Sequence, residues 1–246
     1  MSYEPVLKNS KGWRAVVIDT PSALWVEVPP LRAVHARRTA DQKSDERRQP
    51  VGGMVKRAFD ILLSGLAILM LAPLLATIAL AIVLQSRGPA LFLQRRGGYR
   101  GRVFLVYKFR TMTVTDDGDT IDQAKRGDSR VTWLGAILRK ASLDELPQLF
   151  NVFLGDMSIV GPRPHALAHD KKFLAWVPEY RRRTVARPGI TGLAQVSGSR
   201  GLVNTKEDLA ERVRHDIDYT TRWSLWLDIW IIARTALLVV HDPKAH

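Results

Sequence analysis

Between Leu138 and Pro164 the chain reads LRKASLDELPQLFNVFLGDMSIVGPRP. An adjacent carboxylate pair (Asp144, Glu145), a third carboxylate (Asp156) and two arginines (Arg139, Arg163) surround an apolar helical stripe. An enzyme that attacks a phosphate with a carboxylate needs this mixture: a nucleophile, a hard ligand for a cation, and positive groups for phosphate oxygens. Neighbours on a helix point about 100° apart, so Asp144 and Glu145 do not form a facing dyad that shares a proton. Separate roles follow, one carboxylate attacking and the other holding a cation. Ser142 and Glu145 also match the S-x-x-E capping pattern, a purely structural use of the same residues. Pro147 is suited to the start of a helix. Asp144 is then expected in or just before a first turn, where backbone N–H groups favour anions and keep a carboxylate ionised.

Further cations lie in turn-rich surroundings. Arg187 opens Arg187-Pro188-Gly189-Ile190-Thr191-Gly192, which reads as a rigid turn that presents backbone N–H groups to a ligand. Lys108 and Arg110 fall in KFRTM. Arginine offers bidentate contacts to phosphate, so Arg139, Arg163, Arg187, Lys108 and Arg110 are the candidate phosphate-binding set. Asp156 is a candidate orienter of one of these arginines or a plain ion-pair partner.

The elements that must position these residues begin with a membrane segment. Ile61 to Ser86 carries no charge and has Pro73 at its centre. Each arm of about a dozen residues would be ~18 Å long, enough to enter one leaflet but short of the ~20 residues that cross a bilayer. Basic residues flank both ends, Lys56 and Arg57 before and Arg87, Arg95 and Arg96 after, which favours a segment that returns to its starting face over a kinked spanning helix or a buried soluble hairpin. Proline supplies the break, and Ser64 and Thr77 are placed to satisfy the carbonyls it frees. Leu91 to Tyr107, around Gly97, Gly98 and Gly101, reads as a β-hairpin. Thr113 to Ser129 is acidic and loop-like. Helical patterns resume at Val131–Leu138, from Pro147 to about Leu154, at Ala166–Ala175 and at Glu207–Val240. Trp223, Trp226 and Trp230 share one helical face, suited to a bilayer interface or to a core.

The chain has 246 residues and a formal net charge of +13, from 37 Lys and Arg against 24 Asp and Glu. Its partners should be anionic. With no cysteine, disulfides, thiolate metal sites and Cys catalysis are excluded. The expected organisation is an N-terminal extension and linker (residues 1–53), a re-entrant membrane helix-break-helix (54–86), and a cytosolic catalytic domain with C-terminal interfacial helices (87–246). The fold class expected is α+β, mainly helical, in a monotopic membrane protein.

KFRTM at 108–112, DSRVT at 128–132, LRKASLDELPQL at 138–149, GDMSIVGPRP at 155–164 and RPGITGLAQVSG at 187–198 occur in that order. Together they resemble the bacterial sugar transferases of the monotopic polyprenyl-phosphate phosphoglycosyl transferase superfamily, over roughly Val55 to Val240. The resemblance implies a re-entrant membrane helix, a catalytic Asp144–Glu145 pair and Mg²⁺ held by Glu145 and Asp144. It also implies transfer of a sugar 1-phosphate from a UDP-sugar to polyprenyl (undecaprenyl) phosphate, the initiating step of exopolysaccharide or other surface glycan synthesis. Asp144 would attack to give an aspartyl phospho-sugar, at the cytoplasmic face of a bacterial inner membrane. Asp128 and Arg130 would support the site, and a homodimer is compatible with it. Two positions depart from the family pattern: Ala72-Pro73 stands where Ser-Pro is frequent, and DSRVT where DPRVT is usual. Competing functions are a polyprenyl-phosphate glycosyltransferase releasing UDP, a non-catalytic basic membrane scaffold, and a nucleic-acid-binding protein. The last lacks aromatics interleaved with its basic stretches and leaves the apolar run unexplained, so no nucleic-acid partner is expected.

Overall fold

The first element dictated by the sequence is also the longest. In the computed structural model, which describes residues 50–113, 128–201 and 203–241, helix α1 spans Gly53–Gln85. The extension before Pro50 and most of the acidic segment after Thr113 lie outside the described residues. α1 is long and apolar enough to cross a membrane by length and composition. Pro73 lies inside it without ending the helix, so the expected break is not an interruption of helical structure. Thr77 Oγ1 donates to the Pro73 carbonyl at 2.8 Å and Ser64 Oγ to the Asp60 carbonyl at 2.6 Å. Each hydroxyl thus serves the carbonyl one turn before it, not the one at position 69 that proline leaves unpaired.

Both ends of α1 are fastened to the same compact unit. At the start, Arg57 donates to the Val152 and Phe153 carbonyls at 2.6 and 2.8 Å. Asp60 accepts from Ser158 Oγ at 2.9 Å and Ile159 N at 3.0 Å. Lys56 Nζ lies 2.6 Å from Asp228. At the far end, Leu75, Ile78 and Ile82 bury against Phe109 and Leu138. Arg110 there donates to the Arg87 carbonyl at 2.6 Å and the Ser86 carbonyl at 2.9 Å. The opposite face stays open, with Leu62, Leu66, Leu69 and Met70 exposed.

Strands β1 (Leu91–Gly97) and β2 (Val103–Phe109) form the expected antiparallel hairpin, pairing Leu91 with Phe109 and Gly97 with Val103. Helix α2 (Trp133–Lys140) follows DSRVT and is capped by Thr132, whose hydroxyl accepts from Gly135 N at 2.9 Å. Thr132 N also donates to the Thr111 carbonyl at 3.0 Å, and Met112 bridges Val131. These contacts strap DSRVT to KFRTM. A Cβ on Gly135 would collide with the Thr111 carbonyl. Gly135→Ala is therefore expected to destabilise the chain by about 1–3 kcal/mol, as overpacking against backbone does. A lowered melting temperature checks this, and an unchanged one would mean the strap is loose.

Helix α3 (Gln148–Leu154) begins after Pro147 as expected and ends at Gly155, whose φ of 100° closes the helix. Strand β3 (Ser158–Val160) then pairs in parallel with β4 (Gly189–Thr191). This pairing replaces the expected ligand-facing turn: Gly189 N donates to the Pro162 carbonyl at 3.0 Å, and Thr191 accepts from Gly161 N at 2.8 Å. Gly161, Gly189 and Gly192 have no space for a side chain, because backbone fills it. Helices α4 (Leu167–Trp176) and α5 (Leu193–Val196) complete this region, with a 3₁₀ segment at Pro178–Val185. The helical run expected from Glu207 to Val240 is two helices, α6 (Lys206–Arg222) and α7 (Leu225–His241). The helical tryptophan face divides accordingly. Trp223 lies in the junction and donates to Asp228 at 3.1 Å, whereas Trp226 is 79% exposed.

The central core joins α1, β2, α3, β3 and α7 through Leu63, Val106, Val152, Val160 and Ile231. With helices predominating over two short two-stranded sheets, the α+β, mainly helical expectation holds.

Candidate active site

Asp144 and Glu145 occupy a 3₁₀ turn, Leu143–Glu145, between α2 and α3. Ser142 enters it with φ 55° and makes no side-chain cap. The capping use of Ser142 and Glu145 is thus overturned, because Glu145 faces strand β2 and the loop after β3. Lys108 Nζ, from β2, lies 2.6 Å from Glu145 Oε1. Arg163 grips both oxygens, with one N–H 3.0 Å from Oε2 and another 2.5 Å from Oε1. Burial alone would raise the Glu145 carboxyl, but Arg163 and Lys108 overcome it and hold it well below the usual carboxylate range. Burial pushes Lys108 down against the pull of Glu145. Glu145 in turn raises Arg163. Short contacts lock the three side chains together.

Asp144 is different. Among the described residues it has no hydrogen bond or ion pair. Burial raises its carboxyl above the usual value, and the Glu145 charge adds to this, while Lys108, Arg139 and Arg163 oppose it. The expected support from helix N–H groups is corrected here: Asp144 precedes α3 in a separate turn and accepts no hydrogen bond among the described residues, and burial raises its carboxyl. A poorly compensated carboxylate is a better nucleophile than one bound by donors.

The remaining predicted residues separate into groups. Arg139, at the end of α2, is close enough to lower both Asp144 and Asp128. Asp128 and Arg130 are joined at 2.7 Å, which holds Asp128 well below its usual value. Arg110 is buried and closes the end of α1, so its guanidinium faces carbonyls rather than the carboxylate pair. Arg187 donates to the Gly155 carbonyl at 3.0 Å and lies near Arg57. Asp156 is exposed, with no ion pair among the described residues. Pro73 lies within α1.

Sequence reasoning missed a buried wall behind Arg163. The Arg163 carbonyl accepts from Arg183 at 2.6 Å, and Arg183 is bound to Asp216 at 2.8 Å. His165 Nδ1 lies 2.7 Å from Tyr180 Oη, which donates to Asp170 at 2.8 Å. Burial and the charges of Arg183, Arg212, Arg96 and Arg163 hold His165 well below its usual range, so it is neutral at pH 7. Asp60 and Asp228 were also missed. The signal for them was an isolated acid at the edge of, or inside, an apolar helix, which is costly unless paired.

A small cleft opens over this assembly, lined by Arg96, Lys108, Glu145, Gln148, Arg163 and Pro164. It sets three cations around the Glu145 carboxylate, with Asp144 outside its lining, a charge balance that suits an anionic group. Comparison with known proteins agrees with that chemistry. The family described as bacterial sugar transferase matches residues 51–242. A UDP-glucose:undecaprenyl-phosphate glucose-1-phosphate transferase of Caulobacter vibrioides is 56% identical over 78% of this chain and 72% of its own. An Escherichia coli K12 protein of the same name is 46% identical over 75% of this chain, and the chain spans only 40% of it. An exopolysaccharide production protein of Rhizobium leguminosarum bv. phaseoli is 45% identical over 75% of this chain and 94% of its own.

Proposed function

The chain belongs to the bacterial sugar transferase family, and from that premise we propose that it transfers a sugar 1-phosphate from a UDP-sugar to undecaprenyl phosphate. The names of its relatives favour UDP-glucose as donor and the initiating step of exopolysaccharide assembly as the setting. The observation that carries the reading is the contrast within the carboxylate pair: Glu145 locked by Lys108 and Arg163, Asp144 half-buried beside it with no donor among the described residues.

In this mechanism Asp144 attacks the sugar-bearing phosphorus of the donor. An Oδ–P bond forms, the P–O bond to the nucleotide breaks, and UMP leaves. An oxygen of undecaprenyl phosphate then attacks the aspartyl phospho-sugar, giving lipid diphospho-sugar and restoring Asp144. Arg163 and Lys108 fix Glu145 and face the cleft with positive charge, and Arg139 favours the ionised form of Asp144. Charge so placed acts where negative charge gathers on the phosphoryl oxygens.

Mg²⁺ fits the pair Asp144 and Glu145. This ion takes one or two carboxylates and completes its shell with phosphate and water. Asp144 has oxygens that no protein donor occupies. Glu145 would share its oxygens with Arg163 and Lys108. No larger His, Asp or Glu cluster for a metal exists among the described residues, which suits an ion completed by substrate. When bound, Mg²⁺ would offset charge on the diphosphate.

The membrane reading follows from how α1 is held. A helix of this length would reach ~50 Å at ~1.5 Å per residue. A spanning helix separates its ends by a bilayer. Here Arg57 at one end and Arg87 at the other both bond to the catalytic unit, which supports a re-entrant, monotopic arrangement. The exposed Leu66, Leu69 and Trp226 would face lipid. The site would then work at the cytoplasmic face of the inner membrane.

The deciding experiment is nucleotide release by detergent-solubilised protein with Mg²⁺, undecaprenyl phosphate and a panel of UDP-sugars. UMP is expected. UDP would place the protein among glycosyltransferases, and no nucleotide from any donor would leave a membrane scaffold. The pH profile provides a second check. Asp144 must be ionised to attack, so UMP release is expected to rise with pH through its upward-shifted titration. Arg139→Ala removes a charge that favours the carboxylate, so the acid limb should move to higher pH. An unmoved limb would detach Asp144, or Arg139, from that titration.

A further inference from the structure

Two buried carboxamides sit one turn apart on α3 and are used differently. Asn151 is a strut: its Nδ2 donates to the Leu105 carbonyl at 2.7 Å and its Oδ1 accepts from Tyr107 N at 2.9 Å. Gln148 is only 2% exposed, yet among the described residues its amide makes no hydrogen bond. It is not sealed inside the protein either, because Gln148 lines the cleft with Arg96, Lys108, Glu145 and Arg163. Buried amides are normally paired, and one left open toward a cleft has a donor and an acceptor available to whatever enters it.

The position of Gln148 narrows what that ligand presents. Leu146 and Pro147 keep helical backbone angles between the 3₁₀ turn and α3. Gln148 therefore follows Asp144 by four residues and Glu145 by three along a continuous helical path, spacings that share a face. The wall around it is cationic, so the group entering there is anionic. A neutral N–H donor among charged ones adds direction rather than charge.

We propose that Gln148 contacts substrate directly: its side-chain amide donates to a non-bridging oxygen of the phosphoryl group that Asp144 attacks, and so fixes that group for in-line displacement. The anion contact stands on the cleft alone, and the identity of the phosphoryl group rests on the transfer reading above.

The test uses the full chain in detergent and compares wild type with Gln148→Met, which keeps length and removes the polar end. Melting temperature is measured without ligand and with inorganic diphosphate, alongside UMP release from UDP-glucose. Without ligand, the variant is expected to melt at or above the wild-type temperature, since no protein hydrogen bond is lost. The stabilisation by diphosphate should largely vanish. UMP release should fall by about 10²-fold in kcat, as for the loss of one donor to a developing oxyanion, with the acid limb of its pH profile unmoved. Asn151→Leu is the contrasting control and should lower the melting temperature. A drop in the ligand-free melting temperature of Gln148→Met would make it a strut like Asn151 and overturn the proposal. Wild-type diphosphate stabilisation and wild-type kcat in the variant would overturn it equally. If diphosphate stabilises wild type but not Gln148→Met, while wild type releases no UMP from any UDP-sugar, the transfer reading fails and the anion contact stands.

Discussion

Asp144→Asn should lower UMP release by at least about 10³-fold, the scale on which removing a nucleophile acts, while the protein stays folded. The two side chains have the same shape, but an amide does not attack phosphorus. Nothing in the fold depends on the carboxylate, because Asp144 holds no hydrogen bond or ion pair among the described residues. The substitution also removes a desolvated charge, so the melting temperature should stay level or rise, the usual trade between stability and function. Mass spectrometry supplies an independent readout. Wild type incubated with UDP-glucose and no acceptor should carry a phospho-sugar adduct on Asp144, and the variant should carry none. Full turnover by Asp144→Asn, or an adduct elsewhere, would end the assignment.

The second large effect concerns the attachment of α1. Asp228 is completely buried and gathers three donors: Lys56 Nζ at 2.6 Å, Tyr219 Oη at 2.8 Å and Trp223 Nε1 at 3.1 Å. Asp228→Ala leaves the Lys56 ammonium, whose side chain is 4% exposed, without its counter-charge, and takes the acceptor from two further donors. Breaking a buried pair by removing one partner costs about 3–5 kcal/mol. For a domain of this size that is a loss of roughly 6–20 °C in melting temperature. Lys56→Met combined with Asp228→Leu should recover much of this, because replacing both charges removes the desolvation penalty along with the attraction. A single variant that melts like wild type would show that the pair is not buried in solution. A double variant no better than the single one would place the cost in the lost Tyr219 and Trp223 bonds.

Local elements were legible because their signals are local. Glycines between two β-prone runs marked the β1–β2 hairpin, Pro147 marked the start of α3, and an uncharged run marked α1. The carboxylate pair stood out because two adjacent acids in a turn-rich, arginine-bearing segment suit few structural uses. The parallel β3–β4 pair was hidden, since each strand has only three residues and its partner lies some thirty positions away. Arginine was the least readable residue. Arg163, Arg110 and Arg187 look alike in the sequence, yet one grips Glu145, one closes α1, and one holds the Gly155 carbonyl.

The sequence by itself determined the chemistry available: carboxylates and cations within one segment, an apolar helix ahead of it, and motifs that name the family. Residue type and short spacing carry that information, and folding does not alter it. Only the tertiary structure decided which groups are free to act. Whether a side chain reacts or braces the fold depends on which partners reach it, and those partners come from distant parts of the chain. Lys108 and Arg163 converge on Glu145 from a strand and a loop on either side of it. That convergence leaves Asp144 without a donor, and the same packing keeps Gln148 open to the cleft while Asn151, one turn on, is fully engaged.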